Sequence, residues 1–120
     1  MRASILARIM SAPAHFLLFS TCPDEASATS IARALVEERL AACVQQLGPL
    51  QSTYWWQGQV QQECEIQLVI KTCGERLQAA MDRLTQLHPY ELPECVAVQI
   101  QAGLPAYLDW IQAQTREETL

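Results

Sequence analysis

Residues 40–72, LAACVQQLGPLQSTYWWQGQVQQECEIQLVIKT, decide how this chain is read. In the second half, Cys64, Ile66, Leu68 and Ile70 alternate with Glu63, Glu65, Gln67 and Lys71, the period-2 pattern of a strand with one buried face. The first half, 43–56, ends in Thr53, Tyr54, Trp55 and Trp56, residues that favour strands. Gln57-Gly58 lies between them, where a tight turn needs a residue that accepts positive φ. The stretch therefore predicts one long β-hairpin. Arms of this length reach roughly 40 Å, whereas a compact chain of this size has a radius of gyration of about 14 Å. Such a hairpin overruns its own domain, and its tip needs a cover.

The chain has 120 residues, half of them apolar, which suits one small domain with a real core. Its net charge is −5. Two of the eight basic residues, Arg2 and Arg8, lie in the leader, so from Ala12 onward six basic side chains face thirteen acidic ones, a net of −7. Such a surface repels nucleic acid and anionic membranes and leaves cations and proteins as the expected partners. The leader, residues 1–13, has an apolar run too short for a signal peptide before Arg8 and reads as a flexible tail. Five scattered cysteines form no C-x-x-C pair, and Cys43, Cys64 and Cys95 fall in apolar strand patterns, as reduced, buried thiols of a cytoplasmic protein do.

Around the hairpin, residues 15–21 form a short apolar run ended by Cys22-Pro23 and read as a central strand. Asp24 opens a helix whose apolar stripe is Ala28, Ile31, Ala32, Leu35, Val36 and Leu40. After Thr72, Gly74 starts a second helix with Leu77, Ala80, Met81, Leu84, Leu87 and His88 on one face, and Pro89 ends it. Residues 95–102 alternate Val96, Val98 and Ile100 with Ala97, Gln99 and Gln101, a fourth strand. Pro105 begins a last helix carrying Tyr107, Leu108, Trp110 and Ile111. The domain thus spans 14–115, with a C-terminal tail at 116–120. The order βαββαβ plus a C-terminal helix is the α+β, ferredoxin-like split-βαβ arrangement, an antiparallel sheet with two helices on one face. An uncovered second face and an over-long hairpin both point to a symmetric oligomer.

Several ordered motifs together resemble the CutA family of divalent-cation tolerance proteins. They are Thr21 with Pro23-Asp24, Leu40-Ala41-Ala42-Cys43-Val44, Ser52, Tyr54, Trp56 and Gly58, Glu65, Ile70-Lys71-Thr72, His88-Pro89-Tyr90-Glu91, Pro93-Glu94, and Tyr107 with Trp110. The resemblance covers residues 15–115. It implies a cytoplasmic homotrimer joined through its long hairpins, linked to tolerance of divalent metals and of copper(II) in particular.

The resemblance places His88 at a position associated with copper binding. The sequence carries Leu87 where a second histidine can occur, and Ser20 where a cysteine can occur. Read from the residues alone, His88 equally suits a helix end, where it donates to terminal carbonyls. Glu63 and Glu65 on one strand face, and Glu91 and Glu94 around a loop, are ordinary solvated charges. In a trimer they could instead form an acidic cleft with a neighbour's Lys71 or His88, a natural small-ligand site. Tyr54, Trp55 and Trp56 at the tip are expected at a trimer interface. No Ser-His-acid set, Gly-rich phosphate loop or H-x-x-x-H is present, so the expectation is a binding protein and not an enzyme. The alternative is a small-molecule sensor with its ligand in the cleft between subunits. No resident cofactor is expected beyond a divalent cation, copper(II) being the candidate.

Overall fold

A computed structural model describes residues 13–117. All but Pro13 of the leader and most of the C-terminal tail expected from the sequence lie outside these residues. Strand β1 (His15–Cys22) leads to helix α1 (Glu25–Glu37), then to the hairpin strands β2 (Cys43–Trp56) and β3 (Gln59–Cys73). Helix α2 (Gly74–Leu87), strand β4 (Val96–Gln99) and helix α3 (Pro105–Gln114) follow. The sheet order is β2-β3-β1-β4, and every neighbouring pair is antiparallel. This is the ferredoxin-like arrangement expected.

Local chemistry sets the boundaries. The Asp24 carboxylate accepts from the Ser27 N–H and caps α1. The apolar stripe suggests that α1 continues to Leu40, but the helix ends at Glu37. Arg39 turns to φ 61°, its N–H donates to the Val36 carbonyl, and the Leu40 N–H donates to the Leu35 carbonyl. These two bonds form a Schellman cap. Leu40 stays buried against the core although it is no longer helical.

The core lies between the sheet and helices α1 and α2. Leu18, Ile66, Leu68 and Ile70 from the strands meet Ile31 and Leu35 of α1 and Leu84 of α2. The opposite sheet face is covered at one end, where α3 buries Ile111 and the Thr115 hydroxyl donates to Cys73 Sγ. Among the described residues it is otherwise open except at Glu65, which Tyr90 of the loop after α2 covers. The strand pairing puts Val96 and Val98 on this open face, about half exposed, while Ala97 packs inward on the core.

The hairpin overruns the body as its length requires. β1 pairs with β3 only from Ile66 to Cys73. Residues 59–65 pair with β2 alone, giving a two-stranded arm of about 23 Å at strand rise. The molecule accordingly measures 59 × 35 × 23 Å. The turn is Gln57-Gly58, with φ of 50° and 78°, both positive as a two-residue hairpin turn demands.

One feature of β2 breaks the simple alternation. Leu47 pairs with Gln67, but the next pair is Leu50 with Glu65, so Gly48 and Pro49 stand opposite Ile66 alone. This β-bulge changes the parity of the strand. Before it, Cys43, Gln45 and Leu47 share the open face with Lys71, Val69 and Gln67. After it, Ser52, Tyr54 and Trp56 join that same face, opposite Glu63, Gln61 and Gln59.

The thiols depart from the sequence expectation. All five are free, but the buried ones are Cys22 and Cys73. Cys43 and Cys95 are half-buried, and Cys64 is exposed because it lies on the arm, beyond the reach of either helix.

Candidate functional site

A cleft of about 630 Å³ opens where the arm leaves the body. One wall is the arm face carrying Ser52, Tyr54, Trp56, Gln61, Glu63 and Glu65, and the other is the loop after α2 with Tyr90, Glu91, Leu92 and Glu94. The four carboxylates singled out in the sequence therefore share one cleft within a single chain. Among the described residues, no lysine, arginine or histidine lines it.

Glu65 is the deepest of the four, with 5% of its surface exposed. The Tyr90 hydroxyl donates to its Oε2 at 2.9 Å. Burial, this bond and the nearby negative charge push the Tyr90 phenol above its usual range, so it stays a neutral donor. Glu65 thus differs from the solvated charge the sequence suggests, while Glu63, Glu91 and Glu94 remain exposed. Tyr54 is also raised, by burial first and then by the charges of Glu63 and Glu65.

His88 caps α2 and is buried behind the cleft. Its Nδ1 accepts from the Tyr90 N–H at 3.1 Å, which makes Nε2 the protonated nitrogen of the neutral ring. Nε2 then donates to the Thr21 carbonyl at 2.7 Å. Both nitrogens are engaged, and the ring holds the loop that delivers Tyr90 to Glu65. Cys22 Sγ lies 3.8 Å from Nε2. Burial, with the charges of Asp24 and Glu65, pushes that thiol up to about 11, so it is a packed thiol and not a thiolate. Ser20 is fully buried on the core side, and its hydroxyl lacks a hydrogen-bond partner among the described residues. Leu87 packs against the core. No group of three or more His, Cys, Asp or Glu among the described residues is arranged to hold a metal ion.

The three tip aromatics do not act as one patch. Tyr54 and Trp56, each 39% exposed, wall the cleft, whereas Trp55, 74% exposed, stands on the opposite face of the arm beside Val60. Lys71, the only lysine, lies outside the cleft and donates to the Tyr107 hydroxyl at 3.1 Å; Tyr107 in turn stacks on Trp110.

The chain with this ferredoxin-like body and projecting hairpin has known relatives. The signature of the CutA1 divalent ion tolerance protein matches residues 16–114. The chain belongs to the CutA1 family. A divalent-cation tolerance protein CutA from Thermus thermophilus is 46% identical over 95 residues, covering 79% of this chain and 92% of that protein. Mouse Protein CutA is 40% identical over 97 residues, covering 81% of this chain but 55% of its own length, so this chain spans about half of it. Among solved structures, CutA from Xylella fastidiosa superposes with a TM-score of 0.84 at 55% identity, covering 85% of this chain and 98% of that one. An Archaeoglobus fulgidus protein described as a periplasmic divalent cation tolerance protein CutA gives 0.82 at 33% identity, covering 85% and 99%.

Three residues needed the fold to be placed in the cleft. Tyr90 stood in a recognised motif with no role, because its partner Glu65 is 25 residues away. Tyr54 and Trp56 reach the carboxylate face only through the bulge at Gly48-Pro49, whose glycine and proline were its one signal in the sequence.

Proposed function

We propose that this CutA1 protein works as a homotrimer responding to divalent cations, copper(II) foremost, by binding a cation or a partner protein without turning over a substrate. The observation that carries this reading is the arm. A two-stranded ribbon is marginal in water by itself, yet residues 50–56 and 59–65 form one with Trp55 and Val60 exposed on one side. The open sheet face adds half-exposed Val96, Val98 and Leu47. Closed symmetry would cover both, with Tyr54, Trp55 and Trp56 at the junction. The acidic balance and the cation-free cleft favour a cationic ligand over nucleic acid or membrane lipid. A non-catalytic role is supported by the Cys22–His88 pair, whose thiol is held protonated. Five free cysteines suit the reducing cytoplasm. No helix among the described residues is long and apolar enough to cross a membrane.

Static light scattering tests the assembly: three chain masses are expected, and a stable monomer overturns it. Calorimetric titration with copper(II) on the wild type and His88→Ala tests the metal. His88 must leave either Thr21 or Tyr90 to bind, so binding lost in the variant supports it, and equal binding by both removes it as a ligand.

The cleft supports a second reading, that of a small-molecule sensor. Its volume lies in the range of small-ligand sites. A thermal-shift screen separates the two: an organic ligand favours the sensor, a metal-only response the first reading.

A further inference from the structure

We propose that Cys73 and His15, which face each other across β3 and β1 beneath α3, form a two-donor site for copper(I). The inference goes beyond the divalent-cation reading and uses neither His88 nor the cleft.

The strand register places the donors. His15 and Cys73 are direct cross-strand partners on the sheet face that α3 covers. Side chains so paired start about 4.5–5.5 Å apart at Cβ. Both are buried, Cys73 with 2% and His15 with 8% of its surface exposed. His15 Nε2 has no hydrogen-bond partner among the described residues. A buried ring nitrogen left bare is costly, and a metal ion satisfies it. Two features favour the anionic sulfur that a metal takes. Cys73 is the N-cap of α2, where the helix dipole attracts negative charge, and its side chain makes no capping bond there. The Thr115 hydroxyl lies 3.2 Å from Sγ, its single proton shared between that sulfur and the Ile111 carbonyl. It turns to the sulfur once the thiol has lost its own proton.

Ligand chemistry selects the ion. Thiolate with imidazole suits soft, late transition metals, copper(I) among them. Zinc takes about four donors, and the described residues hold no group of three His, Cys, Asp or Glu. Copper(I), closed-shell and monovalent, is satisfied by two. On binding, the Cys73 thiol releases its proton to solvent, and Sγ and Nε2 each donate an electron pair to the ion. Copper stays in its +1 state, so no oxidant or reductant takes part. The other Cys–His pair is unsuited, because both His88 nitrogens are engaged and the Cys22 thiol is held protonated. A polar cavity of about 480 Å³, which Thr115 lines, gives the ion a path. The donors are buried within one chain, at the end of β3 remote from the arm, so assembly through the hairpins neither builds nor removes them.

The test is anaerobic titration of the full chain against the coloured copper(I)–bicinchoninate complex, with Cys64→Ser as background to remove the exposed thiol. The chain should withdraw one copper(I). Cys73→Ser should abolish the withdrawal, and His15→Ala and Thr115→Val should each weaken it at least ten-fold. Circular dichroism accompanies every variant. X-ray absorption of the copper(I)-loaded background protein reads the site with both donors in place, and one sulfur and one nitrogen ligand are expected. Should Cys73→Ser or His15→Ala lose the fold, Thr115→Val and the absorption spectrum decide. Four results overturn the proposal: no copper(I) withdrawn, sulfur ligands alone, binding unmoved by His15→Ala or Thr115→Val, or binding lost in Cys22→Ser instead. Failure here leaves the copper(II) titration of His88→Ala untouched, since the two sites share no residue.

Discussion

Replacing Tyr90 by Phe deletes one oxygen and isolates the contact that ties the post-α2 loop to the arm. The lost interaction is a 2.9 Å hydrogen bond to a carboxylate that is almost fully buried. Bonds to charged groups contribute about 1.5–3 kcal/mol. Tyr90 itself is only partly buried, so water can approach from the cleft and the low end applies, about 1.5 kcal/mol at neutral pH. Urea unfolding followed by tryptophan fluorescence, with both proteins at one concentration, measures it. The pH dependence adds a second check. The folded-state pKa of Tyr90 is raised, so its contribution is complete below the unfolded value near 10 and is lost as pH climbs above it. The gap between wild type and Tyr90→Phe should hold steady from pH 7 to about 9 and shrink above about 10. Cys22 titrates in both proteins and cancels in the difference. A gap below about 0.3 kcal/mol at pH 7, or one that widens in alkali, would refute the reasoning.

Two further outcomes follow from the backbone and the thiols. At Gly58 an added Cβ meets nothing within 4 Å, so Gly58→Ala costs only left-handed strain, about 1 kcal/mol. At Gly48 φ is 145° and a Cβ would lie 3.0 Å from the Glu65 carbonyl, so Gly48→Ala should cost more, about 2–3 kcal/mol; equal costs in urea unfolding would contradict the bulge geometry. With Ellman's reagent at pH 7.5, Cys64 should react first, and Cys22 and Cys73 only as the chain unfolds. Cys22, raised to about 11, also stabilises the fold fully below pH 9 and progressively less as pH rises through 11. Uniform labelling of all five thiols in the native protein would contradict this burial.

Much of the fold was legible because its signals are local. The alternation from Ile66 to Ile70, the stripe of α1, Pro89 after α2 and Gln57-Gly58 each reflect neighbours within a few residues, where backbone geometry dictates the period. The end of α1 was not, since Leu40 continues the apolar stripe while a left-handed Arg39 has already turned the chain. The valines of β4 were legible as a strand but not as the open side of one, because alternation does not say which face the helices choose. His88 was legible as a helix end; that its ring fastens Thr21 to Tyr90 depends on a partner 67 positions away, the Thr21 carbonyl.

By itself, the sequence determined a ferredoxin-like body and a hairpin too long for it, since strand rise and chain length are fixed quantities. It also determined an acid excess that favours cations. What only the tertiary structure decided is where the hairpin's chemistry points. Without the bulge at Gly48-Pro49, strict alternation would send Tyr54 and Trp56 to the face opposite Glu63 and Glu65. One extra residue reverses the parity and brings aromatics and carboxylates onto a single wall. A side-chain period of two makes that reversal all-or-none, and the pairing across two strands, not the residues of either one, sets it.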